Sequence, residues 1–501
     1  MSHATVFDAW QTACAYTDAL AVARAPAAAW REHQRLRLQD LLSVAAPRSR
    51  FYRERLDRAG RAASSPYELL ERLAPVRKAE LMQRFDDWVT EPSLSLAALR
   101  EFTRDPARRG EAFQGRWLVW QSSGSSGEPA IFVQDARALA VADALEAARG
   151  PLSLEGPAAF GGWAGVWSPP RIALVGATEG HFASVVSFER ARGLNPWLSA
   201  ASRSLSFLQP IDRLTAELEA FAPTVLASYP SMAWVLSQEQ AAGRMKLDLQ
   251  SVWTGGETLT PALRRTLGHR FHASVHDSYG ASECFLIANE CRCGRLHLNA
   301  DWVILEPVDR AGHPVAPGVA GATTLLTNLS NHVQPIIRYD IGDSVRLSSQ
   351  ACDCGSSLPA IEVQGRSDDV LTLTNARGHA VHLAPLALTS VLEDEAGVFD
   401  FQLRQREAHA LALDLFGCRP RGSGHGAREA VRAGAALHEF LAGCGLANVR
   451  VVVHEHASAA ARGASGKQQR VVRQTTAPAR LSAARSSPSK RGAVHAGPAR
   501  R

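Results

Sequence analysis

Residues 122–127 read Ser122-Ser123-Gly124-Ser125-Ser126-Gly127 and lie between two apolar β-like runs, WLVWQ and AIFV. Such a turn can wrap a polyphosphate, because glycines let the backbone approach closely with free N–H groups while the hydroxyls donate to phosphate oxygens. A plain hairpin loop has the same composition, so the turn alone leaves both readings open. It is not a Walker loop, since no Gly-Lys-Ser/Thr follows. Two later β-like runs end on residues of similar promise. SVWTGGETLT closes on Gly255-Gly256-Glu257, where small residues permit a flat ring to lie on the backbone, and HDSYGASE closes on Tyr279, Gly280, Ser282 and Glu283. IIRYDIGDSVRL carries Arg338-Tyr339-Asp340 and Gly342-Asp343 behind an apolar stretch, VQGRSDDVLTL carries Arg366, Asp368 and Asp369, and ASGKQQRVV sets Lys467 in a Gly/Ser loop. Only Lys246 and Lys490 also lie beyond Lys78, so Lys467 stands out in a chain that uses lysine sparingly.

The cysteines suggest a second chemistry. CRCGRLHLN and CDCGSSLP contribute Cys291, Cys293, Cys352 and Cys354, each pair closed by a glycine that can take positive φ. Four thiolates complete a tetrahedral Zn2+ site, closed and therefore structural, which would clip a long insertion to the body of a larger domain. His297 competes as the fourth ligand, because Cys-x-Cys is a tighter bite than the usual Cys-x-x-Cys. Cys14, Cys284, Cys418 and Cys444 carry no spacing signal and read as small buried residues.

Taken in order, these segments resemble the adenylate-forming superfamily, and within it the phenylacetate-CoA ligase branch, whose loop has the same Ser-Ser-Gly-x-x-Gly-x-Pro form. SRFYRERL and LAPVRKAELM look like that branch's opening helix and its Pro-x-x-Lys-x-x-Leu segment. Many superfamily members carry Lys directly after the loop's Pro, where this chain has Ala130. The resemblance implies an ATP-dependent acid-thiol ligase that converts an organic acid, aryl or otherwise apolar, to its acyl-AMP and passes the acyl group to CoA. Residues 122–127 would hold the ATP phosphates, and Gly255, Gly256, Glu257, Gly280 and Ser282 would line the nucleotide with Tyr279 near the adenine. Glu283 would hold Mg2+. Asp343 would accept hydrogen bonds from both ribose hydroxyls, work that suits an ionised carboxylate with several lone pairs in one plane. Arg366 would approach the ribose and phosphates, and Asp368 would be the pivot of a small mobile domain. Lys467 would bridge the attacking carboxylate and the α-phosphate, stabilising charge that gathers between two anions. Two readings share the first step and end elsewhere: transfer to a carrier protein, or adenylyl transfer to a cofactor. A zinc-containing binding protein that has lost catalysis is a third. Homodimerisation is a further implication of the resemblance.

The elements that must position these residues follow from periodicity and composition. A chain of 501 residues exceeds one hydrophobic core, so two folded domains are expected. From about residue 31 to 99 the apolar spacing of three and four predicts helices, a helical entry over about 1–110. From residue 117 to 347 short β-rich runs alternate with helical ones, which predicts an α/β large domain over 1–365 with stacked, largely parallel sheets. The cysteine-clipped region falls at about 284–360. A smaller α+β lid is expected over 366–472, then a basic, disordered tail over 473–501. That tail holds seven Lys or Arg and no Asp or Glu, more than the whole formal charge of +6, which leaves −1 for residues 1–472. A nucleic-acid partner is therefore not expected. No apolar run reaches the roughly 18 residues of a membrane span, and the N-terminal stretch does not read as a secretory signal, so a cytoplasmic enzyme is expected. The acid pocket is expected around Trp163, Trp167, His181 and Tyr229.

Overall fold

The computed structural model describes residues 6–60, 63–122, 129–151, 170–417, 425–457 and 467–473. Among these residues nine strands form the main sheet, in the order Asp343–Leu347, Ala360–Arg366, Leu296–Leu298, Ala288–Glu290, Ser274–Tyr279, Ser251–Gly255, Val225–Ser228, Ile172–Gly176 and Ser202–Ser206. The last five pair in parallel. Their runs are separated by helices such as Ile211–Phe221, Pro230–Ala241 and Pro261–Phe271, and a parallel pair needs a crossover of that length. The central strands Ile172–Gly176 and Val225–Ser228 are mostly buried, as strands covered on both faces are. Beyond Tyr279 the pairing becomes antiparallel, through Ala288–Glu290, Leu296–Leu298 and the final two strands. The largely parallel arrangement expected across residues 117–347 thus holds only for 172–279, because from there the connections shorten to turns that can join only antiparallel neighbours.

Two further antiparallel pieces complete the large unit: a hairpin of Leu118–Gln121 with Ile131–Gln134, and a three-stranded sheet of Val303–Val308, Thr323–Asn328 and Ile336–Asp340. The helices of the entry begin at Ala9, with Asp8 accepting from the Gln11 amide at 2.9 Å as the N-cap. They join the sheets in one core that includes Leu38, Phe51, Trp88, Trp117 and Ile337. A separate core runs from Leu371 to Val471. It belongs to an α+β unit built from the four-stranded sheet Arg450–Glu455, Ala410–Leu415, Phe401–Glu407, Val471–Arg473 and the helix His425–Gly443. The short 3-10 turn Ser367–Asp369 joins the two units.

The units meet across a mixed face. Trp234 of the large unit packs on Phe399 of the smaller one, ring centroids 4.3 Å apart. Arg265 pairs with Asp394 at 2.8 Å. Buried Glu393 accepts from Thr260, the N-cap of helix Pro261–Phe271, and pairs with Arg470.

Buried charge ties the entry helices to the large unit. Asp301 is fully buried and accepts from Arg149 through both guanidinium nitrogens, at 2.7 and 3.0 Å, with Arg37 alongside. Burial opposes the charge on Asp301, but Arg149 and Arg37 outweigh it and hold the carboxyl below its ordinary value. Asp301→Ala would strand two guanidinium groups, and is expected to lower stability by about 3–5 kcal/mol in urea unfolding at neutral pH. A carboxyl whose value falls on folding stabilises above its unfolded value and loses that contribution as pH drops, so wild type and variant should converge below about pH 4.

Candidate active site

The site assembles at the carboxyl ends of the parallel strands, the edge where open α/β sheets bind ligands. Gly255 lies opposite Ser278 in the register between Ser251–Gly255 and Ser274–Tyr279, so Gly256 follows beside Tyr279. Gly256 has φ +76, and a Cβ there would lie 3.1 Å from the Tyr229 ring and 3.3 Å from Cε of Lys467. Gly280 is equally constrained: a Cβ would stand 2.0 Å from the Phe285 carbonyl oxygen, as the chain doubles back over 280–285. That turn delivers Glu283. Ser282 contributes its carbonyl, which accepts from the Trp120 indole at 2.8 Å.

Asp343 and Arg366 are partners across an antiparallel pair, one opening its strand and the other closing its own. Asp343 accepts from the Tyr279 hydroxyl at 2.7 Å and from Arg366 at 3.1 Å. Glu283 accepts from the Tyr339 hydroxyl at 2.7 Å. Burial pushes both carboxyls above their ordinary range; the charge of Asp343 adds to this at Glu283, while Arg366, Tyr279 and Lys467 oppose it at Asp343. Burial, then the charge of Asp343, drives the Tyr279 hydroxyl well above its ordinary value, so it remains a donor. Arg338, one residue before Tyr339, is buried with Glu306 at 3.1 Å and donates to the Glu71 and Leu73 carbonyls, holding the strand in place.

Lys467 enters from the smaller unit. Its ammonium lies 5.9 Å from the centroid of the Tyr229 ring, and burial pulls it below the ordinary lysine value against the raising charges of Glu257 and Asp343. Both oxygens of Glu257 are engaged within the protein: Oε2 by the Ser231 amide at 3.0 Å, Oε1 by the Ser231 hydroxyl at 3.0 Å and the Gln468 amide at 2.9 Å. The structure thus brings together Gly255, Gly256, Glu257, Tyr279, Gly280, Glu283, Asp343, Arg366 and Lys467. Asp368 lies in the turn between units, close enough to Arg366 for its charge to favour the guanidinium.

Ser122 pairs across the hairpin, its amide donating to the Ala130 carbonyl at 2.8 Å and its hydroxyl accepting from the Ala130 amide at 3.0 Å. Ser123, Gly124, Ser125, Ser126 and Gly127 lie outside the described residues, as do Trp163 and Trp167. His181 is fully buried with its ring on the Asp105 carbonyl at 2.8 Å. Tyr229, Ser231 and Tyr339 were not foreseen in the roles they take. The Pro230-Ser231 pair opening an apolar helical run marks a helix start, which could have located the donor of Ser231.

At the far end of the same strands, Cys291, His297, Cys352 and Cys354 place their ligand atoms within 4.8 Å of one another. Cys293 is exposed and is not one of these four, although its thiol neighbours those of Cys291 and Cys352. It falls in the tight turn between Ala288–Glu290 and Leu296–Leu298, whereas His297 lies within a strand and faces inward. The His297 ring bonds the Leu358 carbonyl through Nδ1 at 2.8 Å, which leaves Nε2 toward Cys354 at 3.4 Å. Cys291 and Cys352 sulfurs are 3.8 Å apart. Around a tetrahedral zinc two sulfurs stand about 3.8 Å apart, and a sulfur and a nitrogen about 3.5 Å, so the set fits that ion.

No family model matches the chain. Its fold is that of the adenylate-forming CoA ligases. 2-Hydroxyisobutyryl-CoA ligase in the postadenylation state, in complex with R3-HIB-AMP, superposes with a TM-score of 0.64 at 21% identity, covering 90% of this chain and 91% of that one. The same ligase with 2-HIB-AMP and CoA in the thioesterification state gives 0.52 at 21% identity, over 90% and 91%. In sequence the chain is similar to phenylacetate-coenzyme A ligase of Thermus thermophilus, 30% identical over 191 residues, 36% of this chain. The match spans 41% of that relative's length.

Gly256→Ala would force a side chain into left-handed backbone and against both Tyr229 and Lys467. A loss of about 1–3 kcal/mol is expected by urea unfolding, and an unchanged midpoint would contradict the crowding described.

Proposed function

We propose that this protein is an AMP-forming acid-thiol ligase, activating an aryl or otherwise apolar carboxylic acid as its acyl-AMP and transferring the acyl group to CoA. One observation carries the reading: Lys467, from the smaller unit, lies over Gly256 at the strand ends where Tyr279, Glu283, Asp343 and Arg366 converge. The closer superposition on a postadenylation form than on a thioesterification form supports the same arrangement of units.

In the first half-reaction a carboxylate oxygen attacks the α-phosphorus of ATP, and the bond from that phosphorus to the pyrophosphate oxygen breaks. Lys467 then sits between two anions, where an ammonium in a water-poor site stabilises the transition state more than the separated reactants. Asp343 offers the ribose hydroxyls a carboxylate already oriented by Tyr279 and Arg366. Glu283 fits a divalent cation, since its buried carboxylate is pushed toward the neutral form and has the Tyr339 hydroxyl as its hydrogen-bond donor. A Mg2+ ion held there would neutralise phosphate charge. In the second half-reaction the thiol sulfur attacks the acyl carbon, the bond to AMP breaks, and the thiol proton leaves to solvent. Turning about the segment 367–369 would withdraw Lys467 between the two steps.

We also propose that Cys291, His297, Cys352 and Cys354 bind a structural zinc, which would pin the 291–295 turn to the 348–359 loop. The ion would brace the two strands whose opposite ends carry Asp343 and Arg366.

Acid-dependent ATP–pyrophosphate exchange, screened over a panel of aryl and aliphatic acids, tests the first proposal. Lys467→Ala should lower the best acid's exchange by about 10^2- to 10^3-fold; uptake of only short, strongly polar acids would defeat the substrate assignment. Elemental analysis should find one zinc per chain, lost in Cys352→Ser and in His297→Ala but kept in Cys293→Ser. Thermal unfolding should fall on chelation, and a metal-free protein of unchanged stability would rule the zinc out.

A further inference from the structure

Residues 467–473 are tied to the smaller unit by several bonds. The Gln468 side chain donates to Asp400 at 3.1 Å and to the Phe401 carbonyl at 3.3 Å, Arg470 donates to the Phe399 carbonyl at 2.6 Å, and Val471–Arg473 pairs in the small sheet. The Gln469 side chain reaches Asp369, in the turn between units, at 2.5 Å. Among the described residues, one hydrogen bond from this segment crosses to the large unit, from the Gln468 amide to Glu257. Glu257 is itself anchored from the other side by the amide and hydroxyl of Ser231, at the start of the twelve-residue helix Pro230–Ala241. A helix N-terminus favours a carboxylate, and an ionised acceptor makes the stronger kind of bond.

We propose that Glu257 is a positioning residue for the adenylation step: its carboxylate couples the start of helix Pro230–Ala241 to the Gln468 amide, and so fixes the backbone next to Lys467 over Gly256. This rests on the ligase reading given above. A lysine on a free loop would spread its ammonium over many rotamers and backbone positions, and fixing the adjacent amide removes most of that search before the reaction begins. Gly256 and Glu257 work together here, the glycine leaving room for the lysine stem and its neighbour holding the backbone that bears it. Because the Gln468–Glu257 bond crosses between units, it must break when they turn, so Glu257 serves the first half-reaction and not the second.

Glu257→Ala should lower acid-dependent ATP–pyrophosphate exchange by about 10- to 100-fold through kcat, with KM for ATP within about threefold. Thioester formation from presynthesised acyl-adenylate and CoA should stay within about threefold of wild type. Glu257→Gln, which keeps one acceptor oxygen, should recover part of the exchange. A loss expressed wholly in KM for ATP would make Glu257 a nucleotide contact, and equal losses in both half-reactions would make it structural; either overturns the proposal. Amide hydrogen exchange supplies a readout free of catalysis: protection at Gln468 should fall in Glu257→Ala, and unchanged protection sinks the idea. A wild type inactive toward every acid would refute the ligase reading, while the Gln468 measurement still decides the coupling. Should Glu257→Ala fail to fold, Ser231→Ala, which removes one of the three donors, should give the same one-sided loss at about three- to tenfold.

Discussion

The register between Ser251–Gly255 and Ser274–Tyr279 is the constraint on which the site depends. It sets Gly256 beside Tyr279, so a bare backbone position and a buried hydroxyl share one edge of the sheet. A shift of one residue would reverse the faces and put side chains where the lysine stem now passes. From that edge the chain reverses tightly through Gly280, where only the absence of a Cβ admits the Phe285 carbonyl, and Glu283 is delivered next to Tyr339.

The charges gathered there are held in an uneasy balance. Two carboxyls are pushed toward neutrality by burial, and an ammonium is pulled the same way, with one guanidinium shared among them. Such a set is poorly satisfied by the protein alone. Perturbed ionisable groups that converge at strand ends point to function more than to stability. The contrast with Asp301 is instructive. That carboxylate is also buried, yet paired guanidinium groups hold it ionised, and it serves the joint between entry helices and sheet.

The cysteine and histidine cluster and the strand-end site are mechanically related although distant in role. Strands Asp343–Leu347 and Ala360–Arg366 run from one to the other, with the Cys352 and Cys354 loop joining them at the far end. A bound ion that tightened that loop would limit fraying of the edge strand Asp343–Leu347 and its neighbour Ala360–Arg366, whose other ends carry the Asp343–Arg366 pair. A different kind of joint lies between the units, where Trp234 stacks on Phe399 and Arg265 pairs with Asp394.

Much of this was legible in the sequence because it is carried by short segments. Gly255-Gly256-Glu257, Tyr279 to Glu283, Asp343, Arg366 and Lys467 each sit at the end of an apolar run or in a glycine-bearing loop, and such local patterns survive without knowledge of contacts. The α/β character of the middle of the chain and the α+β character of its end follow from periodicity for the same reason. Partnerships across the fold were not legible. Nothing local says that Ser231 and Gln468 meet at Glu257, that Tyr339 serves Glu283, or that Arg338 turns away to Glu306. That His297 shares the cysteine cluster while Cys293 is exposed was equally beyond spacing, since it depends on which residue a strand turns inward. The sequence determined the chemical groups and the elements that bear them, through residue type and period; tertiary structure alone decided which groups face each other, because that depends on register, strand order and the docking of two units whose facing residues, such as Glu257 and Gln468, are far apart along the chain.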